Sequence, residues 1–138
     1  MLKFLASAFV ALSTSAKPTV LTSSNFSELV YDGTKSASQD GKGWFVKFYA
    51  PWCGHCTKLA PTWEMLSEKS ANNLHVGMVD CSVEDDKPLC GKYGVKGYPT
   101  LIYFPAVDNG YYKYTVGKRD LDSLLDFSVG KGYLPSNR

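Results

Sequence analysis

Apolar residues change their spacing several times along this chain, and each change marks an element. Trp44 to Tyr49 is an aromatic and β-branched run bounded by Gly43 and Pro51, which predicts a buried strand. From Cys53 to about Lys69 the apolar positions Leu59, Trp63 and Leu66 recur at helical spacing, and Pro61 inside that run is expected to kink the helix rather than end it. Ahead of these, Thr19 to Thr22 reads as a short extended segment. Asn25-Phe26-Ser27-Glu28 has the spacing of a capping box, opening a first helix that runs to about Tyr31. The stretch Asp32 to Gly43, rich in Gly, Ser, Lys and Asp, reads as a loop. Further on, Val76 to Asp80 predicts a strand, Lys87 to Tyr93 a short helix, Thr100 to Phe104 a strand, Tyr111 to Thr115 its hairpin partner, and Leu121 to Phe127 a last helix.

The resulting order is βαβαβαββα. Helices placed between parallel strands, followed by a closing hairpin, describe a three-layer α/β/α sandwich with a mixed central sheet. A length of 138 residues with 44% hydrophobic and 20% charged content suits one packed domain and is short for two. Fifteen basic against 13 acidic residues leave a net charge of +2, too balanced for a nucleic-acid footprint. The one block of like charge, Glu84-Asp85-Asp86, reads as a solvated loop rather than a metal site.

The amino end has a different character. Lys3 precedes an apolar stretch from Phe4 to Leu12, and the small residues Ser13-Thr14-Ser15-Ala16 follow. Residues 1–16 therefore read as a cleavable signal peptide, with a core too short to span a bilayer, which needs about 20 apolar residues. Such a leader implies the secretory pathway and its oxidising conditions. Residues 17–130 are then the folded domain and residues 131–138 a tail. The last four residues, Pro135-Ser136-Asn137-Arg138, form neither an endoplasmic-reticulum retrieval signal nor a hydrophobic anchor.

The chemistry concentrates in Trp52-Cys53-Gly54-His55-Cys56, where the buried strand hands over to the amphipathic helix. A helix opening near Cys53 aims unpaired backbone N–H groups and the positive end of its dipole at that sulfur, favouring the thiolate that attacks disulfides. Cys53 is thus the expected nucleophile, and Cys56, a turn further in, the resolving thiol. A helix terminus together with an imidazolium at His55 lowers a thiol pKa by roughly two to three units. Three other readings of the pair exist: a plain disulfide, half of a zinc site, and a haem attachment. Zinc wants a second closely spaced pair, whereas Cys81 and Cys90 lie nine apart and the one other histidine is His75. A c-type haem wants His at position 57, which is Thr57. Cys81 follows a predicted strand and Cys90 falls in or beside the next helix, so they are expected to close a structural disulfide, with two free buried thiols as the alternative.

With its flanks, Phe48-Tyr49-Ala50-Pro51-Trp52-Cys53-Gly54-His55-Cys56 followed by Leu59-Ala60-Pro61 resembles the catalytic a-type domain of the protein disulfide isomerase family. The resemblance extends from Thr19 to about Val129 and implies a thioredoxin-like fold. It implies a thiol–disulfide oxidoreductase that forms, reduces and rearranges disulfide bonds through its CGHC dithiol, in the endoplasmic reticulum lumen or outside the cell. No organic cofactor is implied. The partners it implies are unfolded or misfolded cysteine-containing proteins, and an oxidase or glutathione for recycling. His55 in place of proline argues against a thioredoxin-type reductase, since stabilising the reduced, anionic form makes the disulfide more oxidising. A dedicated reductase and a redox-weak, client-binding module are the alternatives.

Further site residues come from the same resemblance. Gly97-Tyr98-Pro99-Thr100 is similar to the family's cis-proline loop opposite the dithiol, making Pro99 the expected cis residue. Trp52, Tyr98 and Pro99 would form an apolar surface for unfolded chains, with the backbone of Tyr98 free for strand addition. Within Gly117-Lys118-Arg119, Arg119 is the better match to an arginine that swings toward the resolving cysteine, with Lys118 as runner-up. Two positions depart from the family pattern. Lys47 stands where a buried glutamate commonly relays the proton of the second cysteine, and Met78 replaces the lysine commonly paired with it. Lys47 either faces inward beneath Cys56, stabilising its thiolate, or snorkels outward to no effect.

Overall fold

The structure, a computed structural model, describes residues 16–115 and 117–135. Apart from Ala16, the expected signal peptide lies outside the described residues, as do residues 136–138. The elements are β1 (Thr19–Val20), α1 (Phe26–Leu29), β2 (Gly43–Tyr49), α2 (Gly54–Lys69), β3 (Leu74–Asp80), a 3-10 turn (Glu84–Asp86), α3 (Lys87–Lys92), β4 (Thr100–Phe104), β5 (Tyr112–Lys113) and α4 (Leu121–Ser128). They build one five-stranded sheet in the order β1-β3-β2-β4-β5. β1 and β2 run parallel to β3, while β4 pairs antiparallel with β2 and β5 antiparallel with β4. This is the thioredoxin fold.

Alternation along the central strand β2 supplies both cores. Trp44, Val46 and Phe48 join Phe26, Val79, Ile102 and Phe104 in one apolar cluster. Phe45 points the other way and joins Leu59, Trp63 and Leu66 of α2, Leu101 of β4, and Leu124 and Phe127 of α4. A strand covered on both faces loses its hydrophobic–polar alternation, which is why residues 44–49 read as a continuous run. Lys47, on the Phe45 face, is buried by the same covering. Trp63 ties α2 to the sheet by donating from its indole nitrogen to the Gly77 carbonyl at 3.0 Å. α2 runs on through Pro61 to Lys69.

Three expectations need correction. Asn25 forms no side-chain cap; its Oδ1 accepts from the backbone of Thr22 at 2.8 Å and its Nδ2 donates to the Val20 carbonyl at 3.2 Å. The amide closes the turn after β1 instead of the helix start, an instance of local side-chain bonding competing with helix formation, and α1 stops at Leu29. The acidic triplet is only partly solvated, since Asp86 is buried and accepts from the Ser23 backbone at 2.8 Å. Finally, the chain just beyond residue 130 packs rather than trails. Tyr133 is buried, with its ring 4.9 Å from Tyr103 and 5.0 Å from Tyr112, and its N–H bonds the Phe127 carbonyl.

Candidate active site

β2 ends at Tyr49, and Ala50-Pro51-Trp52 turn the chain into α2. Cys53 is the N-cap of that helix, in extended backbone geometry, and its Sγ accepts from the backbone N–H of Cys56 at 3.3 Å. The sulfur thus occupies the place a serine or aspartate oxygen takes at other helix starts. Gly54 opens the helix with empty space where a Cβ would stand. Both cysteines are unbonded thiols, Cys53 8% and Cys56 4% exposed.

Their environments push the two thiols apart. Cys53 is held below the ordinary thiol range, first by the hydrogen bond with the Cys56 side chain, then by the backbone N–H groups of Cys56 and His55 and by the Arg119 guanidinium, against an opposing effect of burial. Cys56 is pushed up to about 11, chiefly by burial and by its bond to Cys53. Of the two, Cys53 is therefore the readier to ionise and Cys56 the more reluctant.

His55 and Arg119 both stand beside Cys53, and the backbone N–H of His55 is one of the donors that favour its thiolate. Arg119 is exposed and lies with His55, Lys58 and Leu59 around the start of α2, where its field favours the Cys53 thiolate. Lys118 offers its carbonyl to the Tyr114 hydroxyl.

The Tyr98–Pro99 peptide bond is cis, and the Tyr98 carbonyl lies 3.5 Å from Cys53 Sγ, accepting from its thiol. Proline at 99 withholds a donor, so the backbone beside the sulfur stays open to another chain. Trp52 is 75% exposed, its ring edge-on to Tyr98 at 5.7 Å. Together they present an apolar ledge next to the nucleophile.

Beneath the helix, Lys47 is 5% exposed and faces inward, with its Nζ 5.0 Å from the centre of the Tyr49 ring. Burial holds it below the ordinary lysine range, while Cys56 and Glu64 pull it back up; in return its charge draws the Cys56 thiol down. Lys47, Met78, Ala60, Trp63 and Glu64 line a cleft of about 280 Å³ that opens beside Lys17. Glu64 escaped the sequence reading, though its place eight residues after Cys56 puts it near the same helix face. Cys81 and Cys90 form a disulfide, with a Cα separation of 6.0 Å, that joins the end of β3 to α3 in the other core. Among the described residues no three His, Cys, Asp or Glu side chains are grouped to hold a metal ion, and no helix is long and apolar enough to cross a membrane.

Residues 17–129 match the family model described as thioredoxin. The chain belongs to the thioredoxin family. Within that family its relatives include protein disulfide isomerases. It is 45% identical over 127 residues to "Protein disulfide-isomerase 1" of Dictyostelium discoideum, covering 89% of this chain and 32% of that protein. With "Protein disulfide-isomerase-like protein EhSep2" of Emiliania huxleyi it shares 42% over 120 residues, 86% of this chain and 50% of the other. This thioredoxin domain thus spans between about a third and a half of those two relatives. Among solved structures, the J-Trx1 fragment of ERdj5 superposes with a TM-score of 0.66 at 34% identity, covering 82% of this chain and 50% of that one. The Trx4 domain of ERdj5 gives 0.68 at 28% identity, covering 84% and 96%.

Proposed function

We propose that this chain forms, reduces and rearranges disulfide bonds in proteins folding in the secretory pathway, using Cys53 and Cys56. The observation that carries the reading is the dithiol itself: Cys53 caps the helix start with its sulfur bonded to the Cys56 N–H, Cys56 is buried one turn on, and both face a cis-proline loop whose Tyr98 carbonyl meets Cys53 Sγ. In oxidation, a substrate thiolate attacks Cys53 Sγ of the Cys53–Cys56 disulfide. That bond breaks, Cys56 leaves and takes up a proton, and a mixed disulfide forms at Cys53. A second substrate thiolate then attacks the substrate sulfur and expels Cys53 as the thiolate its surroundings favour. Two electrons pass from the substrate to the dithiol, and an oxidase or oxidised glutathione removes them. In rearrangement, reduced Cys53 attacks a wrong bond to form a mixed disulfide and free one substrate thiolate; if the substrate stalls, Cys56 attacks Cys53 Sγ, expels the second substrate thiolate and closes the Cys53–Cys56 disulfide.

Lys47 serves the second cysteine. Its ammonium offsets part of the cost of charging Cys56 in a buried site, the task a base would otherwise perform. Trp52, Tyr98 and Pro99 hold the substrate segment. Residues 1–16 direct the chain to the oxidising compartment and are removed, leaving a thioredoxin domain from residue 17. Refolding of a reduced, disulfide-containing protein in a glutathione buffer tests the reading. Cys53→Ser is expected to abolish the acceleration, and Cys56→Ser to trap mixed disulfides. Acceleration that persists without Cys53 would overturn it. The exposure of Trp52 also favours a second reading, a client-binding module, under which a variant lacking both cysteines suppresses aggregation as well as the parent does.

A further inference from the structure

A cleft of about 200 Å³ opens beside the dithiol, lined by His55, Lys58, Leu59 and Arg119. His55, Lys58 and Leu59 are spaced i, i+3 and i+4, so they share one face at the start of α2. Arg119 comes from the turn before α4, which packs against α2. Leu59 is almost wholly buried and gives the cleft an apolar floor, while the other three side chains are exposed.

The charges of this cleft are unanswered. Among the described residues, ion pairs join His75 to Asp40 and Lys87 to Glu84, and neither Lys58 nor Arg119 has a carboxylate partner. The neighbouring Asp120 is committed elsewhere, since it caps α4 by accepting from the Ser123 backbone at 2.8 Å. Among the described residues no carboxylate lines the cleft. Two cations and an imidazole therefore converge on a space that holds a small group, and the field of one of them already reaches the Cys53 sulfur. Confining like charges over an apolar floor strengthens their pull on an anion, which raises local concentration and encounter rate.

We infer that this cleft is a carboxylate-binding subsite beside Cys53, selecting disulfide substrates that carry an acidic group close to the reacting cysteine. The inference rests on the disulfide chemistry proposed above. The carboxylate can belong to an Asp or Glu of a protein chain or to a small acidic disulfide such as oxidised glutathione. In either case a guanidinium offers paired N–H donors and Lys58 a point charge, so the bound anion orients the disulfide for attack by Cys53.

The test uses the reduced protein and three disulfide-linked peptides that differ only in whether Glu, Gln or Lys flanks the cysteine, together with oxidised glutathione and its ester. The second-order rate of reduction is expected to fall in the order Glu, Gln, Lys, with the Glu-to-Gln ratio collapsing in about 0.5 M salt. Lys58→Gln is expected to lower that ratio by about two- to five-fold, the range for one exposed charge pair, whereas Lys58→Arg keeps it. A preference among the peptides places the carboxylate on protein substrates. A preference confined to glutathione over its ester places it on the small disulfide, and either result supports the subsite. Equal rates for all three peptides and for glutathione and its ester would overturn it, even while the Gln peptide is reduced normally. Failure to reduce any disulfide would instead count against the oxidoreductase reading itself.

Discussion

Replacing Lys47 with methionine exchanges a buried ammonium for an apolar group of similar length, and the fold should respond in two opposed ways. Lys47 pairs in register with Met78 on β3 and Leu101 on β4, and among the described residues it makes no ion pair. Exchanging a buried charge for a well-packed apolar side chain is neutral or stabilising by about 1–4 kcal/mol. The ammonium lies along a cleft and feels Glu64, which places the gain at the lower end, about 1–2 kcal/mol, or roughly 3–10 °C in Tm for a domain of this size. The sign also shows in pH. Because folding lowers the lysine pKa, the unfolded chain binds the extra proton, so the parent gains stability as pH rises through the folded value toward about 10.4, and the variant lacks that gain. The same substitution removes the cation that draws the Cys56 thiol down. One unit of further rise makes the thiolate about tenfold scarcer, and its greater nucleophilicity recovers part of the loss, leaving attack by Cys56 about threefold slower at neutral pH. A mixed disulfide between Cys53 and a chromophoric thiol, followed by stopped-flow release, measures that step. A variant that is no more stable and releases the chromophore as fast as the parent would refute the reasoning.

Three further outcomes are expected. Opening the Cys81–Cys90 link by Cys81→Ala with Cys90→Ala should cost roughly 2–3 kcal/mol in urea unfolding, from the entropy of a nine-residue separation, while Cys53 alkylates at its usual rate. Gly77→Val forces a side chain against Leu21 and Trp44, where even a Cβ would come within 2.5 Å of Leu21 Cδ1; a loss of about 1–3 kcal/mol is expected by thermal denaturation. Tyr93 and Tyr103 are raised to about 12 by burial, so the stability they contribute is fully present below about pH 10 and lost as pH climbs from there through 12. Tyr93→Phe should flatten part of that alkaline decline in a pH series of melts.

The central elements were readable because their signals are dense. Residues 100–104 form β4 as the apolar run indicates, and β2 starts one residue earlier than expected, at Gly43. The edges were harder. β3 begins at Leu74, ahead of Val76, since pairing with Gly43 and Trp44 extends it, and β5 shrinks to Tyr112–Lys113 with one neighbour to hold it. Asn25 carried a capping signature, yet its side chain had a competing partner in the turn after β1, and no local pattern ranks the two. Cys53 and Cys56 announce themselves by spacing. The inward course of Lys47 follows only once both faces of β2 are known to be covered. The cleft at Lys58 and Arg119 depends on α4 packing against α2, a relation between segments some sixty residues apart that periodicity does not encode.

The reduction potential of the Cys53–Cys56 pair tests the account most directly. The protein is equilibrated in glutathione buffers of graded ratio, quenched with acid and scored by thiol trapping. A thiolate favoured at Cys53 stabilises the reduced form, so the account predicts a potential near the roughly −180 mV of disulfide isomerases. A value near the roughly −270 mV of thioredoxin would contradict it, making the chain a reductase whose lowered Cys53 does not set its direction.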